Sequence, residues 1–396
     1  MNLRWFYSTT FRHAGHMLSH VHKLVNAQRD ILSPSAILNV EKAMGDLRAA
    51  LALNGEKSLL LAKMKGLEDA ANEWLKPFPN AGMRENVEVL LVAIAVAMAI
   101  RTFFLQPFKI PTGSMQPTLW GITAENLIDR PDVKLPNFFA QLFSFWFNGV
   151  QYKHVVAKCD GTLIPVDETP QRFLLFNLRQ RFKIGDETHT IWFPPEKLWD
   201  AVAPGKILKK GEDVIRLKTY SGDHLFVDRL TYNFRRPKRG EIIVFETSGI
   251  ERMQRSNWGQ FYIKRLVALS AEHVRIGDDR HLIIDGHRLD VSTPHFEHVY
   301  SFDGPPRVDQ YSGHLNESIA KLKGMQWLAP LFPDENQEFI VGPHHYMVMG
   351  DNTMNSSDSR TWGDFPRENV IGKSFCVYWP IGSQDGRSSR FGLGSR

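Results

Sequence analysis

The feature that most constrains this chain is an uninterrupted apolar run from Val89 to Ile100, which lies within residues 87–105. Glu88 is near one end of this stretch, and Arg101 is near the other. At about 1.5 Å per residue, a helix of this length spans roughly 28 Å, close to the hydrocarbon thickness of a bilayer. The stretch therefore predicts one transmembrane helix in contact with a lipid bilayer. A buried helix of a soluble domain stays open as the alternative.

The residues before this stretch, 1–80, predict α-helices. Between Ser8 and Leu32, and again after Ser33 and Pro34, apolar residues recur at three- and four-residue steps. Serine followed by proline is a typical start of a helix. The region lacks the basic start, apolar core and small-residue cleavage site of a signal peptide. These helices either bind an unidentified partner or fold on one another.

The composition favours a folded protein and gives no sign of a nucleic-acid, metal or cofactor site. Hydrophobic residues make up 43% of the 396 residues, and the formal net charge is +5 from 48 basic and 43 acidic residues. So small an excess over so long a chain predicts no nucleic-acid partner. Cys159 and Cys376 lie far apart, without a CxxC or Cys/His cluster, so we predict neither a metal site nor a cofactor. Whether the two cysteines form a disulfide stays open.

A short loop, IPTGSMQPTL at residues 110–119, presents a serine. Ser114 follows Gly113 and lies between Pro111 and Pro117. Proline fixes φ and glycine removes side-chain bulk, so the loop can present the Ser114 hydroxyl to an incoming main chain. A serine hydroxyl is nucleophilic only when a neighbouring base takes its proton. Ser114 is therefore a candidate nucleophile that needs a base from elsewhere in the chain.

The candidate base is Lys264, within FYIKRLVAL at residues 261–269. In an alternating strand, Tyr262, Lys264 and Leu266 share one face, so the lysine can lie among apolar side chains. A lysine must be neutral to act as a base, and burial favours the neutral form. Its pKa would have to fall from about 10.4 to roughly 8. The alternative is an exposed lysine on a half-buried strand.

A third stretch, GDNTMNSSDSRTWG at residues 350–363, is dense in hydroxyl groups. By itself it can be a polar turn that satisfies its own main-chain groups. Taken together, however, the three stretches resemble the type I signal peptidases. These are membrane-bound Ser/Lys proteases that cut signal peptides from exported proteins. The resemblance covers roughly residues 87–119 and 220–380.

The resemblance implies a role for each candidate site residue. Ser114 is the catalytic nucleophile, and Lys264 is the general base. The Ser114 N–H and the Thr112 hydroxyl form the oxyanion hole, although the family more often has serine at the position of Thr112. Ser356 corresponds to a hydroxyl that hydrogen-bonds the base lysine. Asp358 and Arg360 form a supporting ion pair. The substrate-binding residues are Phe108, Ile110, Pro111, Met115, Leu119, Tyr262 and Ile263. His345, close in sequence to the third stretch, is a rival base.

The resemblance also implies the fold and its boundaries. Residues 106–119 and 220–380 form a mainly β catalytic region of coiled, barrel-like antiparallel sheets, after N-terminal helices and one transmembrane helix. Residues 120–219 are an insertion, partly aromatic and β-rich. Its six aromatic residues between Phe138 and Phe147 either contact the membrane interface or form a packed core. Residues 386–396, rich in Ser, Gly and Arg, predict a disordered tail.

Substrate and location follow from the resemblance alone. The expected substrates are preproteins, cut after small residues at A-x-A-like sites. The expected location is the bacterial cytoplasmic membrane, with residues 1–80 in the cytoplasm and the catalytic region outside. Charges flanking the span do not fix this orientation, because Lys76 and Arg84 precede it while Arg101 and Lys109 follow it.

Two other functions are compatible with parts of the sequence. A self-cleaving Ser/Lys hydrolase of related fold needs no membrane span, so residues 87–105 count against it. A catalytically silent, membrane-anchored β-scaffold does not require Ser114, Lys264 and Ser356 together.

Overall fold

The computed structural model divides the chain into two units, Met1–Ala95 and Val96–Arg396. It describes residues 8–53, 56–76, 81–173, 176–195, 198–301, 313–322, 324–325, 327–384 and 387–394. Each unit is treated separately below.

The N-terminal unit contains three packed helices, α1 (Thr9–Gln28), α2 (Pro34–Ala52) and α3 (Lys57–Trp74). The Ser33 side chain caps α2 by accepting a hydrogen bond from the Ala36 N–H at 3.2 Å, and Pro34 occupies the first turn, where no N–H is needed. Val21, Leu47 and Leu67 contribute to one apolar core of the three helices. The predicted N-terminal helices are confirmed. Of residues 1–80, 1–7, 54–55 and 77–80 lie outside the described residues.

The apolar run forms helix α4 (Ala81–Phe103), whose 23 residues correspond to roughly 34 Å. In the described part of the chain, it is the one helix long and apolar enough to cross a membrane, and none of its most apolar window is buried inside the protein. The alternative of a buried helix therefore does not describe α4. The helix ends before the predicted boundary at Leu105, because Leu105 already begins a strand.

The strands and the remaining helices belong to the second unit. The strands are β1 (Leu105–Lys109), β2 (Thr123–Asn126), β3 (Val150–Val156), β4 (Gly161–Pro165), β5 (Gln171–Phe173), β6 (Phe176–Ile184), β7 (Glu187–Trp192), β8 (Ile207–Leu208), β9 (Asp213–Tyr220), β10 (His224–Asp228), β11 (Ile242–Glu246), β12 (Phe261–Ala268), β13 (His273–Ile276), β14 (Leu282–Ile284), β15 (His287–Arg288), β16 (Phe339–Ile340), β17 (His345–Met349), β18 (Phe365–Pro366) and β19 (Val370–Trp379). The helices are α5 (Phe138–Asn148), α6 (Leu198–Ala201), α7 (Glu317–Leu322) and α8 (Ser359–Trp362).

The largest sheet has seven antiparallel strands in the order β1-β10-β19-β11-β12-β17-β18. Its register shifts within the β10/β19, β11/β19 and β12/β17 pairs, and such bulges increase local bending and twist. A second sheet, β15-β14-β13-β16, shares an apolar core with it, in which Val267 and Met347 pack with Val274 and Ile284. The predicted mainly β, antiparallel fold class is confirmed.

Residues 120–219 contribute two further sheets. One has the order β2-β9-β3; the other has the order β5-β6-β4-β8, with β7 paired to β6. Leu163, Phe182, Ile184 and Leu217 belong to one apolar cluster of this region. These residues therefore have a core of their own, separate from the cores of the large sheet.

Helix α5 carries the aromatic residues of the insertion, and none of its residues is buried. The Asn137 side chain caps its start by accepting from the Ala140 N–H at 2.9 Å, and Gly149 ends it with φ 63°. Phe138 and Phe139 are 71% and 78% exposed. The structure thus excludes a packed core as the explanation of these aromatic residues.

The predicted disordered tail is wrong for residues 387–394. Gly394 forms a β-bridge with Cys376, and Arg390 makes a buried ion pair with Asp223. The Ser, Gly and Arg content suggested disorder, but an arginine with a buried carboxylate partner fixes the segment in place. Residues 386, 395 and 396 lie outside the described residues. Cys159 and Cys376 are both free thiols.

Candidate active site

Ser114 lies in the loop that follows β1, and two hydrogen bonds from Asn352 hold this loop. The Asn352 N–H donates to the Ser114 carbonyl oxygen at 3.0 Å. Its side-chain amide donates to the Gly113 carbonyl oxygen, also at 3.0 Å. Only 5% of Ser114 is exposed. The third sequence stretch therefore fixes the peptide groups on both sides of Ser114.

Lys264 lies on β12, opposite Ile243 of β11, and reaches the serine. Its Nζ lies 2.5 Å from Ser114 Oγ, in hydrogen-bonding contact with it. The lysine is 4% exposed, and its Nζ is 5.6 Å from the centre of the Tyr262 ring. Burial lowers the pKa of Lys264 from its ordinary value of 10.5 to about 8, against the opposing charge of Asp358. The structure thus brings together the two candidates, with the pKa that a lysine base requires.

Asp358 and Arg360 form an ion pair, as the resemblance implied. Arg360 Nη2 donates to Asp358 Oδ2 at 2.8 Å, and neither side chain is exposed to solvent. Burial raises the pKa of Asp358, but the charge and hydrogen bonds of Arg360, together with the Gly350 N–H, outweigh this effect, and the pKa lies below its ordinary value. The same carboxylate accepts from the Gly350 N–H at 3.0 Å, and Arg360 donates to Thr353 Oγ1 at 2.8 Å. The pair therefore fixes the loop from Gly350 to Arg360.

Ser356 is close to the site but is not placed as expected. Its hydroxyl is buried and, within the described residues, makes no hydrogen bond of ordinary geometry, to Lys264 or to any other group. It is near enough to Asp358 to contribute to the lowered pKa of that carboxyl. The expected Ser356–Lys264 hydrogen bond is not formed, and Lys264 Nζ contacts Ser114 Oγ.

Gly350 lies where Ser114 and Ser356 meet. A Cβ at this position would lie far inside van der Waals contact of Ser356 Oγ and the Ser114 carbonyl oxygen. Only glycine lets the third stretch approach the serine loop this closely.

A second buried ion pair, Arg265 with Asp351, was not recognised from the sequence. Arg265 donates to both carboxylate oxygens of Asp351, at 2.7 Å and 2.6 Å, and each residue is 1% exposed. Thr118 Oγ1 also donates to Asp351, at 2.5 Å. The pair therefore connects the serine loop, the lysine strand and the third stretch. Two features of the sequence could have indicated this pair. Arg265 stands next to the candidate base, and Asp351 lies in the third stretch, in which Ser356, Asp358 and Arg360 already had expected roles.

The residues expected to bind substrate fall into two groups. Ile110, Met115 and Leu119 are buried in one apolar cluster, against which Phe108 and Ile263 pack. Tyr262 packs against a different cluster, and Pro111 is exposed. Five of the seven expected residues thus belong to one apolar cluster, which includes Met115, the neighbour of Ser114 in the chain.

Thr112, in the serine loop, is exposed. The close approach of its carbonyl group to Gly121, where a Cβ would clash, fixes its main chain. His345, the rival base, has its Nδ1 at 3.2 Å from Asp364 Oδ2, whereas Ser114 Oγ is contacted by Lys264.

The sequence model of a family described as "Signal peptidase, peptidase S26" matches residues 83–128 and 216–379, more than half of the chain. The chain belongs to this family. The match includes Ser114, Lys264 and the third stretch, and it leaves residues 129–215 unmatched between its two parts.

Curated relatives agree with this family. Signal peptidase I of Leptolyngbya laminosa is 29% identical over 40% of this chain and 61% of that protein. Signal peptidase I of Aquifex aeolicus is 31% identical over 40% of this chain and 69% of that protein. The chain thus spans only about 61% of the length of the first of these relatives. A crystal structure of a signal peptidase I from Enterococcus faecalis is 26% identical over 35% of this chain and 97% of that chain, with a TM-score of 0.22, too low for a comparison of folds.

Proposed function

We propose that this protein is a membrane-bound serine endopeptidase that removes N-terminal signal peptides from exported preproteins after small residues. The observation that carries the proposal is the 2.5 Å contact between Lys264 Nζ and Ser114 Oγ, in which burial lowers the pKa of the lysine to about 8. A serine hydroxyl beside a lysine that can lose its charge is a nucleophile with its base. A scaffold without catalysis would have no need to bury an amine in this position.

In the proposed reaction, neutral Lys264 accepts the proton of Ser114 Oγ as this oxygen attacks the scissile carbonyl carbon. The resulting ammonium then gives the proton to the leaving amine, the C–N bond breaks, and an acyl-enzyme ester remains on Ser114. Water attacks the ester, Lys264 takes a proton from that water, and the proton returns to Ser114 Oγ as the ester bond breaks. In the proposed reaction one lysine acts as both base and acid, and each step is balanced without a cofactor.

The oxyanion of the tetrahedral intermediate needs preorganised donors. The Ser114 N–H is suited to this role because, in the described part of the chain, it makes no main-chain hydrogen bond. The exposed Thr112 hydroxyl is the second donor in the proposal. Asp358 and Arg360 act indirectly in the proposal, by fixing the loop from Gly350 to Arg360. Ser356 supports the site by packing against Gly350 in the same loop.

The proposed substrate pockets are formed by Phe108, Ile110, Pro111, Met115, Leu119, Tyr262 and Ile263. The apolar cluster of Ile110, Met115 and Leu119, with Phe108 and Ile263 against it, supports small apolar pockets beside Ser114. Such pockets admit side chains of the size of alanine one and three positions before the cut.

For the membrane, we propose that α4 crosses the bilayer once, with the N-terminal helices in the cytoplasm and the catalytic unit outside. Ser114 follows the end of α4 closely in sequence, as suits a substrate held in the bilayer by its own apolar segment. The test is protease treatment of intact spheroplasts that carry an epitope at either terminus. An epitope after Arg396 should be digested while an epitope before Met1 is protected, and the reverse pattern would overturn the orientation.

We further propose that α5 contacts the bilayer surface. The helix carries no charged residue and exposes Phe138, Phe139, Phe143 and Trp146. A spin label at Phe143→Cys, in the full chain in nanodiscs with both native cysteines replaced by serine, should be accessible to oxygen and shielded from aqueous nickel. Ile164→Cys is the matched control, because Ile164 and Phe143 are 56% and 58% exposed. Equal nickel accessibility at both sites would contradict membrane contact by α5.

The activity is tested by incubating the detergent-solubilised full chain with a synthetic preprotein and mapping the products by mass spectrometry. We expect one cut after an A-x-A site, and loss of that cut when the alanine before it is replaced by phenylalanine. A self-cleaving hydrolase would instead yield fragments of the protein itself, and a silent scaffold would yield no product.

A further inference from the structure

Asp223, outside the residues assigned to catalysis, joins the two ends of the serine loop. Its N–H donates to the Trp120 carbonyl oxygen at 2.7 Å, and its carbonyl oxygen accepts from the Ile110 N–H at 2.9 Å. The preceding Gly222 lies so close to the Ile110 carbonyl oxygen that a Cβ would clash with it. Asp223 thus connects the two ends of the eleven-residue segment from Ile110 to Trp120, which carries Ser114.

The side chain of Asp223 is fully buried and forms an ion pair with Arg390. Its carboxylate accepts from the Trp120 N–H at 2.7 Å and from Arg390, whose Nε and Nη2 donate at 2.8 Å to 3.0 Å. Asp223 is 0% exposed and Arg390 is 7% exposed. A buried carboxylate without its partner is strongly unfavourable, so the position of Asp223 depends on the arginine.

Arg390 belongs to the C-terminal segment, residues 387–394, which lies along β19. The Val377 N–H donates to the Leu393 carbonyl oxygen at 3.2 Å, and the Gly392 N–H donates to the Val377 carbonyl oxygen at 2.9 Å. Arg387 of the same segment stacks on the Trp120 ring at 3.7 Å. The segment is therefore attached to the sheet at one end and to the serine loop at the other.

The serine loop has little support on the side of this segment. A cavity of about 1110 Å³ is lined by residues 117–120 of the loop and by residues of the C-terminal segment. Close packing cannot hold the loop where this cavity lies. The ion pair of Arg390 with Asp223 is a polar connection between the segment and the loop beside this cavity.

We propose that Arg390 is a positioning residue that acts through Asp223 to hold Ser114 Oγ at its distance from Lys264 Nζ. Arg390 touches neither of these atoms, and it fixes Ile110 and Trp120, between which Ser114 lies. Catalysis is sensitive to misplacement of about 1 Å, which can cost on the order of 10²-fold in rate. The C-terminal segment is then a part of the catalytic unit and not a tail. This proposal rests on the proposed peptidase activity.

The test compares the full-length wild type with Arg390→Gln in cleavage of one preprotein. We expect kcat to fall by about 10²-fold, with KM changed by less than about threefold and an unchanged midpoint of the pH profile, because Lys264 keeps its surroundings. Arg172→Gln is the matched control, because it removes one exposed arginine on β5 in the insertion, and it should keep kcat within about threefold. Wild-type kcat in Arg390→Gln would overturn the proposal, whereas absence of cleavage by the wild type would overturn the peptidase assignment itself.

A double-mutant cycle separates positioning through Asp223 from a general effect on folding. In an Asp223→Asn background, Arg390→Gln should cause no further loss of kcat, since neighbours in one network do not add. Independent, additive losses would overturn the proposal. The cavity also allows rescue: millimolar guanidinium should raise the kcat of folded Arg390→Ala and leave Ser114→Ala inactive. A failure of guanidinium to raise the kcat of Arg390→Ala would contradict the positioning role.

Discussion

Lys264 Nζ lies 2.5 Å from Ser114 Oγ, although 150 residues separate the two in the chain. The strand β12 provides the lysine, and the loop after β1 provides the serine. Both are held by the stretch from Gly350 to Arg360, through Asn352 on the serine side and Asp351 on the strand side. This arrangement leads to five predictions.

The rate of cleavage should rise with pH through about 8, the pKa to which burial lowers Lys264. Below that value the lysine is protonated and cannot accept a proton, so kcat/KM should fall about tenfold per pH unit. The measurement is kcat/KM for one preprotein from pH 5 to 10. His345→Ala is the control and should give the same profile. An inflection near 6.5 that disappears in His345→Ala would show that histidine is the base.

Lys264→Met should stabilise the protein at neutral pH. Below pH 8 the lysine is charged in both the folded and the unfolded state, and only the folded state buries that charge. The difference between 10.5 and about 8 corresponds to about 3 kcal/mol at about 1.4 kcal/mol per unit. The gain should shrink as the pH rises from 8 and vanish above 10.5, where both states are neutral.

Unfolding in urea, followed at pH 7 and pH 10.5, measures this gain in detergent. A difference in stability between the variant and the wild type that is the same at pH 7 and pH 10.5 would mean that the assignment of a depressed pKa is wrong.

Sequence patterns predicted the catalytic residues better than the residues that hold them in place. Ser114 and Lys264 carried local signals, a Gly/Pro-flanked serine and a lysine within an apolar strand. Arg265 stands beside the candidate base and Asp351 in the third stretch, but their contact depends on how two distant stretches meet, which no local pattern predicts. The expected hydrogen bond from Ser356 to Lys264 was also wrong. Which hydroxyl Lys264 Nζ contacts depends on tertiary packing, and the local sequence carries no information on it.

The C-terminal segment and helix α5 show a second limit of sequence patterns. The composition of residues 386–396 predicted disorder, yet Arg390 finds a buried carboxylate about 170 residues earlier in the chain. The aromatic residues of α5 allowed two explanations, and only the structure showed that the helix is exposed. Helix α4 was predictable because a long apolar run has few alternatives.

Thr112→Ala should keep the fold and slow cleavage by roughly 10²–10³-fold, because its hydroxyl is the proposed second oxyanion donor. Thr112→Ser is the matched control, since it keeps the hydroxyl and removes only the methyl group. The measurement is kcat for both variants with one preprotein. Equal kcat in the wild type and Thr112→Ala would remove Thr112 from the oxyanion hole.

Gly350→Ala should impair catalysis and stability together. The added methyl group meets Ser356 Oγ and the Ser114 carbonyl oxygen, so the third stretch must move away from the serine loop. We expect a loss of about 1–3 kcal/mol in the free energy of unfolding and a large fall in kcat. Gly66→Ala is the control, because nothing lies within 4 Å of its added Cβ. A Gly350→Ala variant with wild-type kcat would show that the close approach is not needed.

The most direct measurement is single-turnover cleavage of a preprotein by Ser114→Ala, with the products identified by mass spectrometry. Ser114→Ala removes only the hydroxyl that Lys264 contacts, so the protein should remain folded, as circular dichroism can verify. We predict that the wild type releases the signal peptide and that Ser114→Ala releases none. Cleavage at the same site and at the wild-type rate by Ser114→Ala would contradict the assignment of Ser114 as the nucleophile, and with it the Ser/Lys peptidase.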